Sequence, residues 1–129
     1  MQLIDTHTHL YSDQFNEDRT EAIQKAIALG VDKFFLPNID SSSIVGMHAL
    51  EKEFPNQCFP MMGLHPCSVK KDFEKELTLM ESQIEKHSYI AIGEIGIDLY
   101  WDKSLLKEQE IAFRRQIAWA KDLKLPIVI

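Results

Sequence analysis

Leu3-Ile4-Asp5-Thr6-His7-Thr8-His9 opens the chain as a short apolar run that hands over to two histidines one residue apart. Residues two apart on a strand point to the same face, so His7 and His9 project together with Asp5 behind them. Farther along, Ala91-Ile92-Gly93-Glu94-Ile95-Gly96-Ile97-Asp98 repeats the pattern, an apolar run that ends on a carboxylate. Working outward from these two runs, the spacing predicts strands over Leu3–His9, Lys33–Pro37, Cys58–Leu64, Ile90–Ile95 and Ile127–Ile129. Helical periodicity fills the gaps. The first helix runs from about Glu17 to Leu29, with Ala22, Ile23, Ala26, Ile27 and Leu29 on an apolar stripe and Gly30 as the stop. The second follows the serine run Ser41-Ser42-Ser43, a source of N-caps, and ends near Phe54 before Pro55. The third covers about Phe73 to Lys86, and the fourth about Leu105 to Leu123, with Ile111, Ala112, Ile117, Ala118 and Trp119 on its apolar side.

Several of these strands are continuously apolar, the pattern of strands buried on both faces in a helix-covered parallel sheet. The order βαβαβαβαβ implies right-handed crossovers. Each β-plus-α unit takes about 31 residues, the same length as one unit of a (β/α)8 barrel of ~250 residues. The expected fold is therefore α/β: a partial TIM (β/α)8 barrel of about four βα units plus the fifth strand. It occupies 1–129 as the N-terminal half of a barrel, with no second domain. A doubly wound open sheet is the alternative, but its nucleotide-binding glycine fingerprint is absent.

The chain has 129 residues, 45% hydrophobic and 26% charged, which suits a globular domain with one core. No apolar run approaches the ~20 residues of a membrane helix. The N-terminus has neither the basic start nor the apolar core of an export signal. A cytoplasmic protein without membrane partners is the expectation, with Cys58 and Cys67 as free thiols. The net charge of −6 argues against coating nucleic acid through backbone charge alone. It leaves room for an enzyme that engages phosphate locally, through metal ions.

Two imidazoles at the C-terminal end of a strand suit a divalent metal such as zinc, manganese or nickel, and barrel active sites sit at that end. Asp5 is placed to accept from a ring N–H or from nearby backbone. The plainer reading of His7 and His9 is a solvated strand edge. Glu94 ends an apolar strand, where an ionised carboxylate is costly unless paired or metal-bound. One carboxylate can bridge two cations about 3.5–4 Å apart. The flanking Gly93 and Gly96 leave room for close approach. Asp98 reads either as a water- or leaving-group-orienting acid or as a loop cap. His65, in Gly63-Leu64-His65-Pro66, reads either as a donor to substrate phosphate or as a buried, hydrogen-bonded histidine. Asn38 reads as a turn residue or a loop hydrogen-bonder, and Met61-Met62 as core. His48 and His87 read as solvated. Tyr100 and Trp101 suit stacking on a base, a contact of ~1–3 kcal/mol, or a hydrophobic lid.

Taken in order, Ile4–Leu10, Gly63–Pro66 and Gly93–Asp98 resemble the motifs of the TatD family of metal-dependent hydrolases, as do Gln109-Glu110-x-x-Phe113-x-x-Gln116 and Leu125–Ile129. The resemblance implies a TIM-type barrel whose complete enzyme holds two divalent metal ions, with Mg, Mn, Zn and Ni left open. It implies phosphodiester hydrolysis, usually as a deoxyribonuclease, with DNA or other nucleic acid as substrate. It makes His7, His9 and Glu94 metal ligands, and places His65 at the substrate and Asp98 among the catalytic groups. Some relatives are associated with removing D-amino acids from tRNA, so ester or amide hydrolysis is an alternative. The family pattern goes on to a histidine directly after the fifth strand, then a further histidine and an aspartate. This chain stops before them and carries at most a partial site. A catalytically incomplete fragment is thus a further expectation, one that self-associates to cover its open barrel edges.

Overall fold

The computed structural model describes residues 1–129. Three parallel strands, β1 (Leu3–Asp5), β2 (Val31–Pro37) and β3 (Cys58–Met61), form the regular part of one sheet in the order β1-β2-β3. Phe34 pairs with Cys58 and Leu36 with Pro60 across the second ladder. The next segment joins through a single parallel bridge, Met62 to Ile92, and the last through Ile92 to Ile127. Ladder hydrogen bonds continue there: Gly93 N–H to Met62 O at 2.8 Å, Val128 N–H to Ile92 O at 2.9 Å and Ile95 N–H to Val128 O at 3.0 Å. Each new segment adds on the same side of its predecessor. The order never reverses, as it must in a doubly wound sheet. Helices α1 (Arg19–Ala28), α2 (Ile44–Glu53), α3 (Phe73–Ile84) and α4 (Leu106–Leu123) make the crossovers. None is long and apolar enough to cross a membrane.

Apart from β2, which starts two residues before the expected Lys33, the strands are shorter than the apolar runs suggest, because polar side chains take over the backbone groups. The run Leu3–His9 is strand only to Asp5, where Asp5 Oδ1 accepts the His7 N–H at 3.2 Å. The run Cys58–Leu64 is strand only to Met61, and the amide of Gln116 takes both the N–H and the C=O of Leu64, at 2.7 and 3.3 Å. The expected strands Ile90–Ile95 and Ile127–Ile129 are reduced to one bridging residue each, Ile92 in two bridges and Ile127 in one.

The helices begin and end near their expected bounds but bury different faces. In α1 only Ile23 is fully buried, while Ile27 and Leu29 face solvent. In α4 the buried stripe is Gln109, Ala112, Gln116 and Ala120, and the expected Ile111 is half exposed. Asp40, rather than the serine run, makes the cap before α2. Its Oδ1 accepts the Ser42 N–H at 3.0 Å while Ser43 Oγ accepts the Asp40 N–H at 3.2 Å, a reciprocal capping box. The core lies between the sheet and the helices, where Ile23, Leu36, Met47, Met62, Leu64, Leu77 and Met80 are fully buried. Arg115 braces α4 to α3 through a paired contact with Glu81 at 2.9 and 2.7 Å, and Trp119 Nε1 donates to the same carboxylate at 2.8 Å.

His48 and His87, read from sequence as solvated, are partly buried and paired. Their rings stack at 4.2 Å between α2 and the segment after α3. His48 Nε2 meets the Tyr89 hydroxyl at 2.9 Å and His87 Nε2 meets Glu51 at 2.7 Å. Burial, then the neighbouring His87, holds the His48 pKa below its ordinary 6.5, with Glu51 opposing. The unfolded chain therefore binds a proton here at higher pH than the folded one, and stability falls as pH drops through the ordinary histidine value. We expect a lower urea midpoint at about pH 5 than at about pH 7.5, and a smaller difference in His48→Phe, which keeps a stacked ring without a titrating nitrogen. Paired urea titrations of the two proteins check this.

Candidate metal centre

His7 and His9 lie on the loop that leaves β1, at the C-terminal end of the sheet. The loop is tied down from several sides. Thr8 N–H donates to Phe35 O at 3.0 Å. The Arg19 guanidinium, from the start of α1, donates to the carbonyls of Leu10, Tyr11 and Ser12 at 2.7, 3.1 and 2.9 Å. The two imidazoles converge through this loop and not through strand pleating, with ring centroids 5.4 Å apart and nearly perpendicular.

Glu94 reaches the histidines because the backbones around it pack with no space for a side chain. A Cβ on Gly63 would lie 2.8 Å from the carbonyl carbon of Gly93, and one on Gly93 would lie 2.6 Å from Val128 Cβ. Beneath them Asn38 is completely buried. Its Nδ2 donates to Gly63 O at 2.9 Å and to Asp40 O at 3.1 Å, and its Oδ1 accepts from Ser43 Oγ at 2.8 Å. Its carbonyl accepts the Glu94 N–H at 3.4 Å. Asn38 thus joins three strand ends, a larger role than a turn residue plays.

The Glu94 carboxylate meets three imidazoles. Its Oε2 lies 3.0 Å from His7 Nε2 and 3.6 Å from His9 Nε2, and its Oε1 lies 3.2 Å from His65 Nε2. One ligand atom from each of His7, His9 and Glu94 falls within 4.8 Å of the others.

Neighbouring hydrogen bonds fix the tautomers. The Tyr11 hydroxyl donates to the Pro37 carbonyl, so it accepts from His9 Nδ1 at 2.7 Å. That places the His9 proton on Nδ1 and leaves the Nε2 lone pair facing Glu94. Burial is the main cause that keeps the His9 pKa below its ordinary value, with His7 and His65 adding to it and Glu94 opposing. A neutral ring with its second nitrogen hydrogen-bonded is the form that binds metal. His65 is set the other way. Its Nδ1 accepts the Cys67 N–H at 3.0 Å, so a neutral ring carries its proton on Nε2, beside Glu94. Two imidazole nitrogens and a carboxylate oxygen form a donor set suited to zinc, manganese or nickel.

Asp98 stands outside this trio. Its Oδ1 accepts the Tyr100 N–H at 2.9 Å and its Oδ2 accepts the Cys67 Sγ–H at 3.3 Å. The Tyr100 amide, then Cys67, holds the Asp98 carboxyl below its ordinary pKa. The backbone of Asp98 is in turn held by Gln109, whose Oε1 accepts the N–H at 2.8 Å and whose Nε2 donates to the C=O at 3.0 Å. Gln109 and Gln116 therefore pin the two loops that carry Asp98 and His65. The sequence reading gave no role to these glutamines, to Tyr11 or to Arg19. The available signal was a pair of amides seven residues apart on one helix face.

A sequence profile described as TatD related DNase matches residues 4–129. The chain belongs to the TatD related DNase family. It is 34% identical over 127 residues to an uncharacterized metal-dependent hydrolase of Bacillus subtilis (strain 168), YabD, covering 98% of this chain and 49% of that protein. It is 28% identical over 130 residues to the 3′-5′ ssDNA/RNA exonuclease TatD of Yersinia pseudotuberculosis, with the same coverage of 98% and 49%. The crystal structure of the TatD homologue YjjV from Escherichia coli K12 superposes with a TM-score of 0.87 at 28% identity, over 97% of this chain and 49% of that one. A hydrolase of the TatD family from Entamoeba histolytica shares the fold, with a TM-score of 0.72 at 22% identity, over 98% of this chain and 48% of that one. The chain spans about half the length of the curated relatives it matches. Within this TatD family member, Gln116→Leu leaves both backbone groups of the buried Leu64 without partners. We expect a loss of about 1–3 kcal/mol in stability, measured by urea unfolding.

Proposed function

We propose that this TatD family chain provides His7, His9 and Glu94 to a divalent-cation-dependent phosphodiesterase acting on single-stranded nucleic acid. The observation that carries the reading is the convergence of two imidazoles and one carboxylate at the C-terminal end of a parallel sheet. The printed activity of the Yersinia relative supports the substrate class. The unreversed strand order and the likeness to YjjV support reading the chain as the first four βα units, plus the fifth strand, of a (β/α)8 barrel. In the whole protein Glu94 would be the carboxylate available to a second cation beside the one held by His7 and His9.

When bound, the cations supply Lewis acidity toward water and toward a phosphoryl oxygen. The chain's own residues do the rest. His7 and His9 bind through Nε2, and Tyr11 keeps His9 in the tautomer that can do so. Glu94 balances charge, and His65 holds its far oxygen. The same His65 Nε2–H could turn from Glu94 to an incoming phosphate.

Titration calorimetry with Mn2+ is expected to show binding to the chain and none to the His7→Ala/His9→Ala double variant. The companion measurement, in a full-length protein that contains this chain, is Mn2+-dependent cleavage of a labelled single-stranded oligonucleotide, which the double variant and EDTA should abolish. Unchanged turnover in the double variant would remove the assignment. Cleavage of an aminoacyl ester, with the oligonucleotide left intact, would move the reading to ester hydrolysis.

A further inference from the structure

We propose that Tyr100 and Trp101 form a stacking platform for an unpaired nucleobase, a binding site that continues from the His7–His9–Glu94 trio. The inference rests on the nucleic-acid reading above and adds to it the part of the substrate that the cation trio does not touch. Tyr100 is 81% and Trp101 80% exposed, the two most exposed aromatic side chains among the large apolar residues that face solvent. Their rings meet edge to face at 4.7 Å and 84°. In that arrangement the two rings steady one another while a ring face stays open to a third flat group.

The loop beneath the rings is fixed, although the rings stand in solvent. Asp98 accepts the Tyr100 N–H at 2.9 Å, and Asp102 accepts the Ser104 N–H at 2.8 Å. Gln109 holds the backbone of Asp98 from α4 through two further hydrogen bonds. The aromatic pair is thus presented on an anchored support, which lowers the ordering cost of binding a flat ligand. Asp98, read from sequence either as an orienting acid or as a loop cap, also positions the platform through the Tyr100 N–H.

The platform is continuous with the trio. One hollow is lined by His65, Glu94, Asp98 and Tyr100. The next is lined by Lys70, Asp98, Trp101 and Asp102. A strand whose phosphate accepts from His65 would run along this hollow toward the aromatic pair. The Lys70 ammonium, which donates to Cys67 O at 2.9 Å, lies on the Trp101 side, where a backbone phosphate would pass. The chain's charge of −6 gives little general attraction for phosphates. Stacking needs none, and every base offers a face, so the pair grips a strand without reading its sequence.

The test is fluorescence anisotropy of a fluorescein-labelled oligothymidylate with the chain in EDTA, where hydrolysis cannot contribute. We expect binding by the wild type, and a loss of roughly five- to a hundredfold in Trp101→Ala, with Trp101→Phe close to wild type. An abasic strand of the same length should bind the wild type as weakly as oligothymidylate binds Trp101→Ala. Equal affinity for abasic and thymidylate strands, or no binding at all, overturns the platform. A Trp101→Ala change that alters sedimentation but not oligonucleotide affinity assigns the pair to a protein contact and also overturns it. Base-dependent binding in EDTA without any cation-dependent cleavage leaves the platform standing and sinks the hydrolase reading alone.

Discussion

There is no room for a side chain at Gly63 or Gly93, and the site depends on that constraint. The two backbones meet each other and Val128 at distances that a Cβ would violate. The contact draws the ends of β3 and of the Ile92 and Ile127 segments together, and with them the start of the Glu94 side chain. Asn38 turns the same crowding into a hydrogen-bonded joint by spending its buried amide on Gly63 and its carbonyl on Glu94. A methyl group at either glycine would push Glu94 away from His7 and His9 before it disturbed any helix.

Around this joint the polar groups are arranged in layers. Tyr11 and Arg19 set the histidine loop, Gln116 sets the backbone next to His65, and Gln109 sets the backbone of Asp98. Gln116 stands in for the missing ladder partners of Leu64, and the others hold loops beyond the strand ends. The sheet gives up regular pairing just where its ends must carry chemistry, and no buried side-chain polar atom is left unpaired. This is also why the strands are short. Backbone groups that would have extended them are committed to side chains instead.

Much of this was legible in the sequence, and the boundary of legibility is physical. The helices were legible because capping residues, Gly30 and Pro55 punctuate a clear period. The parallel order was legible because continuous apolar runs alternate with helices. His7, His9 and Glu94 were legible because charged or metal-binding groups at the ends of apolar strands need a partner. The buried face of α4 was misread because its stripe is built on Gln109 and Gln116, and an amide carries no hydrophobic signal. The stacking of His48 on His87 joins residues far apart in sequence, and no local pattern marks it. The loop that carries His7 and His9 off β1 is held by the Phe35 carbonyl and the Arg19 guanidinium, partners on other elements that a single strand's pleat cannot foretell.

The unreversed strand order has a bearing on how the molecule assembles. Every strand pairs with the one made just before it, so the sheet can grow one unit at a time as the chain leaves the ribosome. The trio of His7, His9 and Glu94 cannot. His7 and Glu94 are 87 residues apart, and their meeting closes the longest loop that the site contains. Contacts of that span form late, after the entropy of the intervening chain has been lost to nearer pairings. The convergence of these three side chains is therefore a late event, one that waits for the fourth segment to dock.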